Sequence, residues 1–155
     1  SNRSLLNTNL NYSDFIYNKF KDFKLSIKIS NKFFPVLSDF ILDFNLNIVE
    51  LDISKNQIEQ INENAFQSNL NLKIIILNLN NLHSLNKDIF KNLIYLTELH
   101  LNQNKLKKLK DNLFIYQKNL HLLDLSYNLL EEISNMTFIG LENLLKLKIE
   151  SNYIK

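Results

Sequence analysis

The sequence predicts an α/β fold: a right-handed solenoid, or horseshoe, with a parallel β-sheet on its concave face and short turns or 3₁₀ segments on its convex face. Three observations predict it. An Asn recurs every 24 residues, apolar residues recur in fixed columns around each Asn, and the stretch before each Asn alternates apolar with polar residues. One repeat cannot bury its own apolar face, whereas stacked repeats bury a continuous core.

The recurring Asn residues set the register of the repeats, and they are Asn56, Asn80, Asn104, Asn128 and Asn152. Apolar columns accompany them. In repeat 96–119 the columns are occupied by Leu96, Leu99, Leu101, Leu106, Leu109 and Phe114, and the corresponding positions of the neighbouring repeats are again Leu, Ile or Phe. Five Asn positions without an insertion between them are a highly specific signal of a repeat protein.

Each part of the repeat has a physical role. The alternation around Leu99 and Leu101 predicts a strand with one buried face. The Asn follows where the chain turns inward, and its side chain can both donate to and accept from backbone groups, so that stacked Asn residues satisfy buried amides. The later Leu residues and the Phe fill the core from the return segment.

The motif LDLSYNLLEEISNMTF, residues 123–138, resembles the leucine-rich-repeat family. Its 24-residue spacing with a late Phe is similar to the typical subclass, found in Toll-like receptor ectodomains and extracellular matrix repeat proteins. The resemblance covers about residues 24–155. It implies binding through surfaces, with no catalytic residues, no cofactor and no metal ligands to transfer to this chain.

The repeat columns also divide the chain. Residues 48–71, 72–95, 96–119 and 120–143 form complete repeats, and 144–155 form a partial one. Residues 24–47 are a degraded repeat, in which Lys32 replaces the Asn and Leu42 the Phe, and residues 1–23 are interpreted as a capping segment or a further degraded repeat. Extracellular relatives usually carry cysteine-rich caps, which are missing here, so we expect a piece of a longer solenoid.

Composition excludes several classes of function. The chain has 155 residues, a formal net charge of +2 and no Cys, so thiol catalysis, disulfides and thiolate metal sites are excluded. A single Gly rules out a Gly-rich phosphate loop. The charge balance predicts no nucleic-acid binding. No apolar run approaches the roughly 20 residues of a membrane helix, so no membrane insertion is expected in this segment; no signal peptide is seen either.

A candidate binding surface follows from the strand positions that point away from the core. Most are polar, but Ile74, Ile76 and Leu79 are apolar, as are Leu122 and Tyr127 two repeats later. Charged or polar neighbours are predicted to surround them: Glu50, Asp52, Glu98, His100 and Asp124. An apolar centre with a charged rim is typical of a protein-binding site. Self-association through this face and simple tolerance of apolar residues are the alternatives.

Other motifs have weaker interpretations. Asn-x-Ser/Thr sequons at Asn2, Asn11 and Asn135 indicate N-glycosylation, although chance sequons are expected in an Asn-rich chain; Asn135 and Asn11 are the candidate sites. The basic run Lys105, Lys107, Lys108 and Lys110 suits an acidic partner or, more simply, a solvated edge. His100 and Asp124 share a column, and a surface ion pair is expected there rather than a metal or acid–base site.

Two functional hypotheses follow, and neither is an enzyme. The first is a protein-binding module of a secreted or cell-surface recognition protein or receptor, which docks a protein ligand on the concave sheet. The second is an intracellular, cytoplasmic scaffold or regulatory subunit, which the missing cysteines favour. The typical-subclass resemblance favours the first, and glycan occupancy would separate the two.

Overall fold

The computed structural model describes residues 24–37 and 47–155. Their strands are β1 (Leu25–Lys28), β2 (Val36–Leu37), β3 (Ile48–Asp52), β4 (Gln60–Ile61), β5 (Ile74–Ile76), β6 (Glu98–His100), β7 (Leu122–Asp124) and β8 (Lys146–Lys148). The predicted capping segment 1–23, Asn2, Asn11 and Leu42 lie outside the described residues. The proposed repeat boundaries remain predictions.

A six-stranded parallel sheet forms one side of the solenoid, in the order β1-β3-β5-β6-β7-β8. From β3 onward, each strand pairs with the strand 24 residues later: Glu50 faces Ile74, Ile74 faces Glu98, and Glu98 faces Leu122. The predicted solenoid with one strand per repeat is confirmed. The pairing of β1 with β3 is irregular between Leu25 and Ser26, as befits a degraded repeat.

The return side of the solenoid is built from turns. Backbone N–H groups donate three residues back, as from Gln67 to Asn64 at 3.0 Å and from Gln117 to Phe114 at 3.0 Å. No helix occurs in residues 24–37 and 47–155, so the convex side is built mainly from turns. A second, two-stranded parallel sheet joins β2 to β4 on the return side of the first two described repeats.

A ladder of buried Asn side chains ties consecutive repeats together. The Asn104 amide nitrogen donates to the carbonyls of Leu77 and Leu101, both at 3.0 Å, and its carbonyl oxygen accepts the N–H of Leu82 at 3.0 Å. Asn128 repeats this pattern one turn later. Each Asn thus satisfies backbone groups of its own repeat and of the preceding one, which would otherwise be buried without partners.

The core lies between the sheet and the turns and continues from repeat to repeat. Phe66, Phe90 and Phe114 stack at its far side, with ring centroids 6.3 and 6.2 Å apart. Leu99 in β6 and Leu101 directly after β6 point inward and are fully buried. Because the core is shared between adjacent repeats, the stability of each repeat depends on its neighbours.

Candidate functional site

Five apolar side chains form what we call the concave patch: Ile74, Ile76, Leu79, Leu122 and Tyr127. Leu79 and Tyr127 are 39% and 56% exposed, whereas the other three are half-buried. Strands in a sheet lie about 4.8 Å apart, so Ile74 and Leu122, two strands apart, are separated by roughly 10 Å. One extended ligand segment that lies across the strands could therefore contact both side chains.

The backbone sets the direction of two patch residues. Leu79 and Tyr127 have φ angles of 58° and 53°, and the corresponding residues of the other repeats, Asn31, Lys55, Gln103 and Ser151, are also left-handed. This conformation is unfavourable for residues other than Gly, Asn and Asp. It is imposed at every repeat because the chain must reverse direction before the buried Asn.

Two predicted rim residues, Asp52 and Asp124, are buried, at 8% and 4% exposure. Each carboxylate accepts the N–H of the Ser two residues later, Ser54 or Ser126, at 3.1 Å. Each also forms an ion pair with a Lys of an adjacent strand. Lys28 pairs with Asp52, and the Lys148 Nζ lies 2.9 Å from Asp124 Oδ2. Both carboxylates are thereby engaged within the sheet.

These contacts lower the pKa of both aspartates. Burial acts to raise the pKa of Asp124, but the hydrogen bonds from Ser126 and Lys148 outweigh it. The same effects act on Asp52. Burial raises its pKa, but the hydrogen bonds from Lys28 and Ser54 together lower the pKa by more than burial raises it. A carboxylate held by donors in the folded state stabilises the fold when it is ionised.

We predict that Asp124→Asn lowers the free energy of unfolding at pH 7 by about 1 kcal/mol, because the charge-assisted bonds from Ser126 and Lys148 are weakened. The folded-state pKa is depressed, so the wild-type contribution is complete above the unfolded-state value of about 3.8 and is lost as the pH falls through the lower folded-state value. Urea unfolding at pH 7 and pH 2.5 measures the difference.

Asp111→Asn, on the exposed turn side, is the matched control for this pH experiment. We expect Asp111→Asn to follow the wild-type curve at both pH values. The difference between wild type and Asp124→Asn should shrink at pH 2.5. A difference that is as large at pH 2.5 as at pH 7 would show that the ionised carboxylate is not what stabilises the fold.

His100 is placed beside Asp124 in the sheet, as the shared column predicts. Its side chain nevertheless contacts its own strand, where Nε2 lies 3.2 Å from Glu98 Oε2. Asp124 is already occupied by Ser126 and Lys148. The ion pair expected between His100 and Asp124 is therefore not formed. His100 contacts Glu98 instead, and Asp124 pairs with Lys148. Among the described residues, no group of three His, Asp or Glu side chains is arranged to hold a metal ion.

The basic run is partly neutralised by the following repeat. Lys108 Nζ lies 2.6 Å from Glu132 Oε1, and this contact raises the pKa of Lys108. A groove of about 550 Å³ opens beside it, with Lys107 and Glu131 both in its wall. The mixed charge of the groove agrees with a solvated edge better than with a site for a polyanion.

Asn135 is exposed on the turn 135–140, and the sheet lies on the other side of the repeat. Its sequon partner Thr137 is completely buried. No helix within the described ranges is long and apolar enough to cross a bilayer.

Residues 94–154 match the family model described as leucine rich repeat. No curated protein matches the chain by sequence. The chain is similar to TLR13 in the TLR13–ssRNA13 complex, with 32% identity and a TM-score of 0.82 over 91% of this chain. It is also similar to the APL1 leucine-rich repeat domain, with 28% identity and a TM-score of 0.74 over 82% of this chain.

A third structure, the leucine-rich repeat domain of APL1B, shares 22% identity with a TM-score of 0.70 over 97% of this chain and shows the fold alone. The chain spans 20%, 34% and 43% of the TLR13, APL1 and APL1B chains, respectively. The similarity therefore concerns a set of repeats and not a whole receptor or domain.

Proposed function

Because this chain is a leucine-rich-repeat solenoid, we propose that it is a recognition module that binds a protein ligand on its concave sheet, and that it does not catalyse a reaction. The observation that carries the proposal is the concave patch. An exposed apolar surface on an otherwise polar sheet is typical of an interaction site. The rigid sheet would dock its ligand with little change of shape.

The charges beside the patch indicate the chemistry of the ligand. One row across the sheet reads Glu50, Ile74, Glu98, Leu122 and Lys146. Ile74 therefore lies between two carboxylates that no Lys or Arg side chain pairs within the described residues. An extended segment with an apolar residue flanked by Lys or Arg would match this row in both shape and charge.

Single-stranded RNA is the ligand named for the TLR13 structure, and it is a second candidate here for that reason alone. The concave face argues against it. Lys28 and Lys148 are bound to aspartates, and Glu50 and Glu98 would repel phosphates. A protein ligand agrees better with the mixture of apolar and acidic side chains.

We further propose that the protein is secreted or lies on the cell surface, as a receptor or adhesion protein does. The similarity to TLR13 and the exposed sequon Asn135 support this location. The intracellular scaffold remains the alternative. Peptide mapping of the natural protein for a glycan at Asn135 separates the two, because N-glycans are added in the secretory pathway.

The docking proposal predicts which peptides the solenoid selects. A peptide display library panned on the wild-type chain should yield sequences with an apolar residue flanked by Lys or Arg. The double variant Ile74→Thr/Ile76→Thr keeps β-branched residues in the strand and should weaken those peptides at least about 10-fold, the loss of roughly 1.4 kcal/mol. Fluorescence anisotropy with a labelled selected peptide measures the affinities.

Two controls sharpen this measurement. Ile94→Thr removes an apolar side chain on the convex side that is more exposed than Ile74 and Ile76, and it should bind the peptide as the wild type does. Glu50→Gln/Glu98→Gln should weaken binding most at low salt. Peptides that bind the wild type and the Ile74→Thr/Ile76→Thr variant equally would remove the concave patch as the site. Tighter binding of a single-stranded RNA oligonucleotide than of any peptide would favour the second candidate.

A further inference from the structure

Thr137 occupies a core position for which its chemistry is poorly suited. The residues in its column in the preceding repeats are Ala65, Ile89 and Leu113, and all four are buried. The backbone N–H of Thr137 donates to Ser134 at 3.0 Å. Its hydroxyl, in contrast, has no hydrogen-bond partner in the described part of the chain. A buried hydroxyl without a partner destabilises a fold relative to an apolar group of the same shape.

Two positions earlier, Asn135 has the opposite environment. Its column contains Glu63, Lys87 and Asp111, and all four residues are exposed. No hydrogen bond of the Asn135 side chain to any residue in 24–37 or 47–155 is seen, so its amide is free to carry a bulky group. The turn 135–140 places this group on the convex side and leaves the concave patch uncovered.

We infer that Thr137 serves as the hydroxyl residue of an N-glycosylation signal and that Asn135 carries the N-glycan. The sugar is transferred to Asn-x-Ser/Thr on the nascent chain, so the later burial of Thr137 does not prevent it. The reaction forms a bond between the Asn135 Nδ2 and the first sugar of a lipid-linked oligosaccharide donor and releases the lipid diphosphate. The inference depends on the proposed passage through the secretory pathway but not on concave docking.

Substitution of Thr137 by Val separates a signalling role from a structural one, because Val has the same shape and lacks the hydroxyl. In chain made in bacteria, without glycans, we expect Thr137→Val to raise Tm by about 3 °C, since an unpartnered buried hydroxyl is removed. In chain secreted from eukaryotic cells, the same variant should lose the glycan at Asn135. Asn135→Gln is the matched control, which loses the glycan without a change in the core.

Mass spectrometry of the peptide containing Asn135 provides the readout, both for the secreted chain and for the natural protein purified from its own cells. Occupied Asn135 in the natural protein, with a stabilised Thr137→Val variant, is the expected result. An unmodified Asn135 in the natural protein would overturn the inference, and so would a Thr137→Val variant that is less stable than wild type. The docking proposal is tested apart from this, because peptide binding to the concave patch does not need the glycan.

Discussion

Replacing Asn80 by Ala is expected to lower the free energy of unfolding by about 4 kcal/mol and Tm by about 10 °C, since four buried backbone partners are lost at about 1 kcal/mol each. The Asn80 amide nitrogen donates to the carbonyls of Ile53 and Leu77, at 3.0 and 2.9 Å. Its carbonyl oxygen accepts the N–H groups of Asn56 and Ile58, at 3.1 and 2.9 Å. Urea unfolding followed by circular dichroism measures the change.

Asn92→Ala is the matched control for the ladder. Asn92 is an exposed Asn on the convex side, and its removal should change stability by no more than about 0.5 kcal/mol. If Asn80→Ala and Asn92→Ala were equally stable, the buried backbone groups would have found other partners. The ladder would then not be what joins the repeats.

Replacing Phe90 by Ala is expected to lower the free energy of unfolding by about 3–5 kcal/mol, because it opens a cavity in the middle of the aromatic stack. Phe90 is fully buried, and it is the ring that contacts both other members, Phe66 and Phe114. Phe90→Leu keeps most of the apolar volume and should lose less than about 1.5 kcal/mol. Thermal and urea unfolding of both variants give the values.

Tyr116→Ala tests whether burial causes this loss. Tyr116 is an aromatic residue of the following repeat, half exposed on the turn side, and its removal should change stability far less than Phe90→Ala. If Phe90→Ala and Tyr116→Ala were equally stable, the interior near Phe90 would have to collapse around the missing ring. In that case the stack would not transmit packing between repeats.

The fold was predictable because its signal is repeated. The columns through Leu99 and Asn104 recur five times, so the strand register follows from counting alone. The small sheet of β2 and β4 was not predictable, since two-residue strands are too short to show alternation. The sequence predicts turns or 3₁₀ segments on the convex side, and the described residues form turns there, together with the short β2–β4 sheet.

The candidate site was predictable in its apolar part and less so in its charges. Ile74 and Ile76 lie on the concave face because residues of a strand alternate between its two sides. The same alternation placed Asp52 and Asp124 on the exposed rim, whereas both are buried. A signal was available, because each Asp is followed two residues later by a Ser and has a Lys 24 residues away in the sequence.

The left-handed column had no sequence signal. Leu79 and Tyr127 are among the residues least suited to a positive φ, and Gly is absent from every position of the column. The conformation is imposed by the adjacent buried Asn and its neighbours in the next repeat. The left-handed backbone that the stacked repeats impose therefore orients Leu79 and Tyr127, two side chains of the concave patch.

The regular spacing of the Asn ladder has a consequence for how the length of such a gene can change. Joining residue 95 directly to residue 120 would bring Asn80 and Asn128 into successive turns, with the Asn ladder and the apolar columns kept in register. A deletion of any length that is not a multiple of 24 would instead leave one repeat whose strand, Asn and return segment cannot all align with those of its neighbours. Unequal crossing-over between repeats is therefore the change in length that this architecture accepts. It would change the number of strands in the concave sheet without changing how each strand pairs with the next.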